Sequence, residues 1–515
     1  MTEEVLPSLS TQTLDDYQRI YLEASLNYAR DFGPHKVTAL ALYNQTQYIS
    51  KAAVPSGYLG FVGRLTYSFK NKYLGEINMG YNGSNQFAEG HRYALFPAFS
   101  AGWVISEEKF WKENVPFVDF FKIRGSYGEV GNDKLGGQAY LYQHIYNPGN
   151  ANFGNYNFGT TPQALNGYTE GRLGNELVTW ERARKSNVGI DLRLLKGKLT
   201  VSADYFREDR RDILLTNQSI PNVLGIGLPP ENIGKVRNQG GELELGYSDN
   251  INKFNYYVKG NVSYARNKVL FKGESPQLYD WMATTGQSLG QHFGLVCLGM
   301  FKSQEEIDAS PKQFGDVKIG DLKYQDLNND GVINGYDECP IGYSNVPRIQ
   351  FGLSAGFEWN GLDFSMLWQG AAQFSAYFAY GAVWEFMDGG NVQEMHLNRF
   401  NPEDPSTWDT ATYPRLHNGN FPNNHRKSDF WLKKGDYLRL KNLEIGYTFP
   451  KTLLSKAGIS RLRVFVSGTN LLTFDYVKNF DPETEQERGY NYPQMAQYTF
   501  CLLYTSDAAD DRISV

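Results

Sequence analysis

The stretch DLNNDGVINGYDE, Asp326 to Glu338, has the residue types and spacing of a loop that wraps a hard cation. With Asp326 as the first position, side-chain oxygens recur at the third, fifth and ninth, on Asn328, Asp330 and Asn334. Gly331 stands sixth, where such a loop turns sharply; Val332 offers its carbonyl next, and Asp337 puts a carboxylate at the twelfth place. Calcium needs roughly six to eight oxygens converging on one point, and this spacing supplies most of them. Two features pull the other way. The flanks FGDVKIGDLKYQ and CPIGYSNVPRIQFGLSAGF read as extended and turn-rich, without the amphipathic helices that usually bracket such a loop, and Asp337 has a short arm for bidentate ligation. The same residues also build a tight Asx and glycine turn with no ion. Both readings stand at this point: Ca2+ held for shape by Asp326, Asn328, Asp330, Val332, Asn334 and Asp337, or an ion-free turn.

No other constellation competes with this loop. The seven histidines form no HExxH arrangement, and no GxSxG, Walker or Rossmann glycine pattern precedes a helix. Cys297, Cys339 and Cys501 are too few and too scattered for a zinc site or a disulfide framework. No close pair of carboxylates stands out, so an enzyme is not expected. A net charge of −6 leaves no basic footprint and sets nucleic acid aside as a partner. The mean hydropathy of −0.49 and the lack of any run of 18 apolar residues exclude a helical membrane protein. Aromatic residues at 15% exclude a disordered chain.

The elements that must carry this loop alternate with period two. In NVGIDLRL, Val188, Ile190, Leu192 and Leu194 share one face. In FNYYVKGNVSYARN the apolar face is Phe254, Tyr256, Val258, Val262 and Tyr264, and in IQFGLSAGFEW it runs from Ile349 to Trp359. LTYSFKNKYLGEINMGYN, LTVSADYFRE, LDFSMLWQG and NLEIGYTF repeat the pattern, giving about fifteen strands joined in pairs by turns such as LLKGKL and EWNGLD. Period two fits a large soluble sandwich or propeller as well as a membrane barrel. Three features favour the barrel. The strands are as long as a tilted bilayer crossing requires. Trp359, Trp368 and Phe449 sit near strand ends, as interfacial girdles would. Short turns alternate with long polar excursions, among them the stretch from Asp388 to Arg426.

LFPAFSAGWVISEEKFW (Leu95 to Trp111), FFKIRGSYGEVGND (Phe120 to Asp133), LVTWERARKSNVGIDL (Leu177 to Leu192), NIGKVRNQGGELELGY (Asn232 to Tyr247) and DYLRLKNLEIGYTFPKTLLSKAGISRLRVFVSGTNLLTF (Asp436 to Phe474) recur in order along the chain. They resemble the C-terminal half of the SusC/RagA family of TonB-linked outer-membrane proteins of Bacteroidetes. GDLKYQDLNNDGVIN followed by DFSMLWQG matches that family's order of elements as well.

The resemblance implies an all-β fold, a transmembrane antiparallel β-barrel of which residues 1–500 supply about fifteen of about 22 strands. It implies a place in the outer membrane and TonB-dependent import of oligosaccharides or peptides with a SusD-like lipoprotein. TonB would act through an N-terminal plug, and no plug sequence precedes the strands here. Residues 501–515, CLLYTSDAADDRISV, lose the alternation and read as a non-native tail. Tyr156, Tyr168, Trp384 and Trp408 lie in the long loops and are candidates to stack on a glycan or peptide ligand, although loop packing uses such residues equally well. The alternative class is a surface or secreted glycan-binding β-protein without transport.

Overall fold

A computed structural model of the chain describes residues 17–50, 53–136, 139–148, 155–158, 163–220, 227–387, 389–454, 458–484 and 487–506. Fifteen strands form one sheet in which each lies beside its sequence neighbour. They are β1 Tyr17–Phe32, β2 His35–Ser50, β3 Ala53–Phe69, β4 Tyr73–Ser84, β5 Tyr93–Val104, β6 Val118–Asn132, β7 Glu181–Leu194 and β8 Leu199–Leu215. They continue as β9 Glu231–Ile251, β10 Phe254–Phe271, β11 Ile349–Trp359, β12 Leu362–Ala372, β13 Tyr437–Thr448, β14 Ile459–Asp475 and β15 Gln497–Ser506. The expected number of strands and their expected length are both met, and among the described residues no helix is long and apolar enough to cross a membrane.

Turn chemistry sets the register. Asn360 and Gly361, with φ of 50° and 90°, make the two-residue link between β11 and β12, and the ladder then runs unbroken from Trp359↔Leu362 to Ile349↔Ala372. Lys70 and Asn71, with φ of 53° and 54°, open the three-residue link, Lys70 to Lys72, between β3 and β4. LTYSFKNKYLGEINMGYN is therefore two strands and a hairpin turn, because two successive left-handed residues end the first strand inside the alternating pattern.

Contacts divide the chain into two units. The first comprises residues 1–104, 124–187 and 208–235. In it Leu65 pairs with Ile77, Ile77 with Phe99, and Tyr73 with Trp103, and all five side chains are exposed on one face. A row of exposed apolar side chains in register is what a lipid-facing surface requires. Stacked pairs mark its two ends, Tyr73 on Trp103 at 6.4 Å and Tyr81 on Tyr93 at 5.5 Å. Its buried core is small and lies off the strands' outer face, where Trp180 packs among Phe87, Phe96 and Leu141 and donates Nε1–H to the Arg92 carbonyl at 3.0 Å.

The second unit comprises residues 105–123, 188–207 and 236–515. Its exposed apolar face runs through Val258, Val262, Leu353, Ile445 and Val466, with Trp359 at the short-turn end and Trp368 stacked on Phe474 towards the other. Its main core is made by loops, with Trp384, Trp431, Tyr413, Tyr324 and Phe378 at the centre. A bulge at β13 adds Lys441 to the strand. Arg439 reaches Asp481 at 2.9 Å and Glu483 at 3.1 Å, Lys441 reaches Glu483 at 2.6 Å, and together they tie the segment between β14 and β15 to the strand. Strand β15 does not stop where the alternation fails. It pairs with β14 from Gln497↔Thr469 to Ser506↔Ile459, Cys501 included, while residues 507–515 of the expected tail lie outside the described residues.

Candidate functional site

The loop Asp326–Glu338 sits in the excursion between β10 and β11. GDLKYQ is not a barrel strand: Leu322–Tyr324 pairs with Cys297–Met300 in a two-stranded ribbon, and after the loop Cys339–Ser344 pairs with Gln291–Gly294 in another. Three residues are too short to cross a bilayer, and their buried side chains belong to the loop core. Within the loop the side chains mostly serve the backbone. Asp326 Oδ2 accepts from Gly331 N at 2.8 Å, Asn328 Oδ1 from Asp330 N at 3.0 Å, and Asp330 Oδ1 from Val332 N at 2.9 Å. Asn334 Oδ1 accepts from Tyr336 N at 2.7 Å, and its amide donates to the Val332 carbonyl at 3.2 Å. Asp337 is fully buried, and its two oxygens accept from Leu327 N at 2.9 Å and Asn334 N at 2.8 Å.

These bonds are those of an Asx-turn scaffold, and each also leaves lone pairs that a cation could use. Of this loop's side-chain atoms, Asp326 Oδ1 is buried without a hydrogen-bond partner among the described residues. Oxygen donors of the kind a hard cation takes are thus present in the loop on Asp326, Asn328, Asp330 and the Val332 carbonyl, whereas Asp337 completes the capping box of Asn334 on the short helical turn Gly335–Asp337. Among the described residues no three His, Cys, Asp or Glu side chains form a metal-binding group.

The four aromatic candidates part ways. Tyr168 is 75% exposed. Tyr156 pairs through its backbone with Leu165 in a small ribbon, and its side chain lies outside the described residues. Trp408 stacks on Phe400 at 5.4 Å and donates to the Asn401 carbonyl at 2.9 Å, which is loop packing. Trp384 is only 6% exposed and stacks on His425 at 4.6 Å, so one ring face is taken. It nonetheless lines a chamber, and its Nε1–H, buried, finds no acceptor among the described residues.

That chamber has a volume of about 1270 Å3 and lies among the described residues of the second unit. Its wall is the polar face of the strands, including Glu242, Glu244, Asn261, Gln350 and Gln369, and its crown is loop residues, including Tyr377, Tyr380, Trp384 and His425. The alternation explains the division, because each strand that presents Val262 or Leu353 outward must present Asn261 or Gly352 inward.

Behind the crown lies a buried polar network that motif reading missed. Asp321, fully buried, accepts from Arg415 Nη2 at 2.9 Å, Asn424 Nδ2 at 3.1 Å and Lys318 N at 2.8 Å, and meets His417 Nε2 at 2.7 Å. Burial pushes its pKa up, but His417, Arg415 and the Lys318 N–H outweigh it and hold the carboxyl below its ordinary value. Glu385, equally hidden, accepts from His417 N at 2.6 Å and from the Tyr413 hydroxyl. There too burial is outweighed, by His425, Tyr413 and backbone N–H groups, which hold the carboxyl below its ordinary value. The signal was present in YPRLHNGNFPNNHRKSDFW, whose density of Asn, His and Arg between aromatics marks a polar core, but its partners Asp321 and Glu385 are far away in sequence.

Comparison with known proteins agrees with this architecture. The family model described as TonB dependent receptor-like, beta-barrel matches residues 7–471. TonB-dependent receptor P26 of Formosa agariphila is 28% identical over 471 residues, covering 86% of this chain and 46% of that protein. TonB-dependent receptor SusC of Bacteroides thetaiotaomicron is 25% identical over 476 residues, covering 90% and 44%. The chain therefore spans about half the length of the curated relatives it matches. Among solved structures, the RagAB peptide importer in its closed-closed state aligns with a TM-score of 0.72 at 21% identity, over 95% of this chain and 55% of that one.

Proposed function

Because this chain belongs to the TonB dependent receptor-like, β-barrel family, proteins of the outer membrane, we propose that it is the barrel portion of an energised importer of oligosaccharides or peptides, working with a SusD-like lipoprotein and with TonB. The observation that carries the reading is the chamber, which combines a polar strand wall with an aromatic crown. Oligomeric solutes have hydroxyl or amide groups along their length and flat faces at each unit, and such a lining serves both. Trp384 is the residue best placed to take part, since a ligand oxygen would satisfy its buried Nε1–H. Tyr168, exposed on its ribbon, remains available for stacking. The family is one of receptor barrels, which supports a transport role.

The secreted glycan-binding alternative is disfavoured by one feature, the continuous exposed apolar rows, which a soluble sheet would have to cover. The calcium loop belongs to the same proposal as a rigid connection in the excursion that bears the chamber's crown. Affinity purification of the complete protein from outer membranes tests the partnership. A SusD-like lipoprotein should co-purify in stoichiometric amount, and recovery of the barrel alone under mild detergent would count against it.

A further inference from the structure

The chamber is unbalanced in charge. Its described lining includes six carboxylates, those of Asp204, Glu242, Glu244, Glu338, Glu483 and Glu487. Against them stand two fixed cations, Arg426 and Lys427, and both are already engaged: the Arg426 guanidinium lies 4.1 Å from the Phe314 ring centroid and Lys427 Nζ 5.1 Å from that of Tyr377. Glu483 is neutralised by Arg439 and Lys441, and Glu338 lies near enough to Arg426 and Lys427 to feel both. Among the described residues Glu242 and Glu244 have no such partner. On β9 they alternate with Leu243 and Leu245, which are exposed on the apolar face, so both carboxylates project from the opposite face, into the chamber and open to solvent. Lys259, on the same face of β10, makes no ion pair with either among the described residues. Two like charges two residues apart on one strand face repel, and nothing in the packing requires them. A ligand cation would relieve that repulsion.

Resting on the import reading, we propose that the chamber selects solutes carrying amine or guanidinium groups, with Glu242 and Glu244 as the recognition pair, and disfavours polyanions. The chemistry is shared by basic peptides and by amino sugars with free amines. Field focusing inside a walled cavity strengthens such a preference and makes it sensitive to ionic strength.

The test is titration calorimetry on the complete protein with four probes: hexalysine, hexaglutamate, a chitosan hexamer with free amines, and its fully N-acetylated counterpart. Hexalysine or the chitosan hexamer should bind at least about tenfold more tightly than its neutral or acidic counterpart, the weight of one charge-assisted contact. Which of the two binds identifies the source of the amine. The Glu242→Gln/Glu244→Gln variant, isosteric and on an open face, should lose that preference, and Glu242→Lys/Glu244→Lys should transfer it to hexaglutamate. Heat-modifiable gel migration confirms that each variant is folded. Equal affinity for charged and neutral probes, or a preference unchanged in the glutamine variant, would overturn the charge proposal and leave the import reading standing. Failure of any oligomer to bind would overturn both.

Discussion

Asp326 Oδ1 and the Asp321 carboxylate pose opposite problems, one buried without a partner and the other buried with several. If calcium satisfies the first, addition of calcium should raise the melting temperature of the complete protein, and Asp326→Ala/Asp330→Ala should abolish that rise. A rise that persists in the variant would place the metal elsewhere. For Asp321 the sign follows from its lowered pKa. A carboxylate held below its ordinary value contributes stability that is present in full above that value, and lost as the pH falls through the lower, folded value. Asp321→Ala strands Arg415 and His417 and should cost about 3 kcal/mol of local stability at neutral pH. Hydrogen exchange of residues 413–431 reads both effects. Protection factors of these amides in the parent, corrected for the intrinsic slowing of exchange in acid, should fall below the ordinary carboxylate range, and in the variant they should be low throughout, with only the acid-dependent step that Glu385 contributes.

At the scale of elements, the strands depend on how closely their backbones approach. A Cβ on Gly240 would lie 1.9 Å from the Tyr264 carbonyl oxygen and 2.8 Å from the Phe206 ring, so Gly240→Val should force β9 off its neighbour. Gly63 has nothing within 4 Å of the corresponding position, and Gly63→Ala should fold as the parent does. Heat-modifiable migration distinguishes them: loss of the folded band for Gly240→Val alone is the expected outcome. The strands themselves were legible in the sequence because a face buried in lipid must be apolar at every second residue, as Val258, Val262 and Leu353 show. What the pattern hid was local. The turn at Lys70–Asn71 contains no glycine, GDLKYQ alternates over too few residues to separate a ribbon from a strand, and β15 keeps its backbone pairing after its side-chain alternation ends. The site was half legible. The Asp326 loop announced itself because its residues are adjacent, whereas Asp321, Glu385 and the chamber's Glu242 meet their surroundings only through folding.

At the scale of the whole molecule, the proposed import function rests on an exposed apolar face and on a polar face that walls a chamber in the second unit. An outer membrane has no energy source of its own, so on the proposed import reading the complete protein, if it concentrates a solute, draws on the inner membrane through TonB. This is the central claim. Uptake of a fluorescent oligomer by cells carrying the complete protein, measured with and without a protonophore, tests it most directly. Accumulation that depends on the protein and collapses when the protonophore is added is the expected result. Accumulation that continues undiminished without the proton gradient would contradict the account, since it would make the barrel a passive pore.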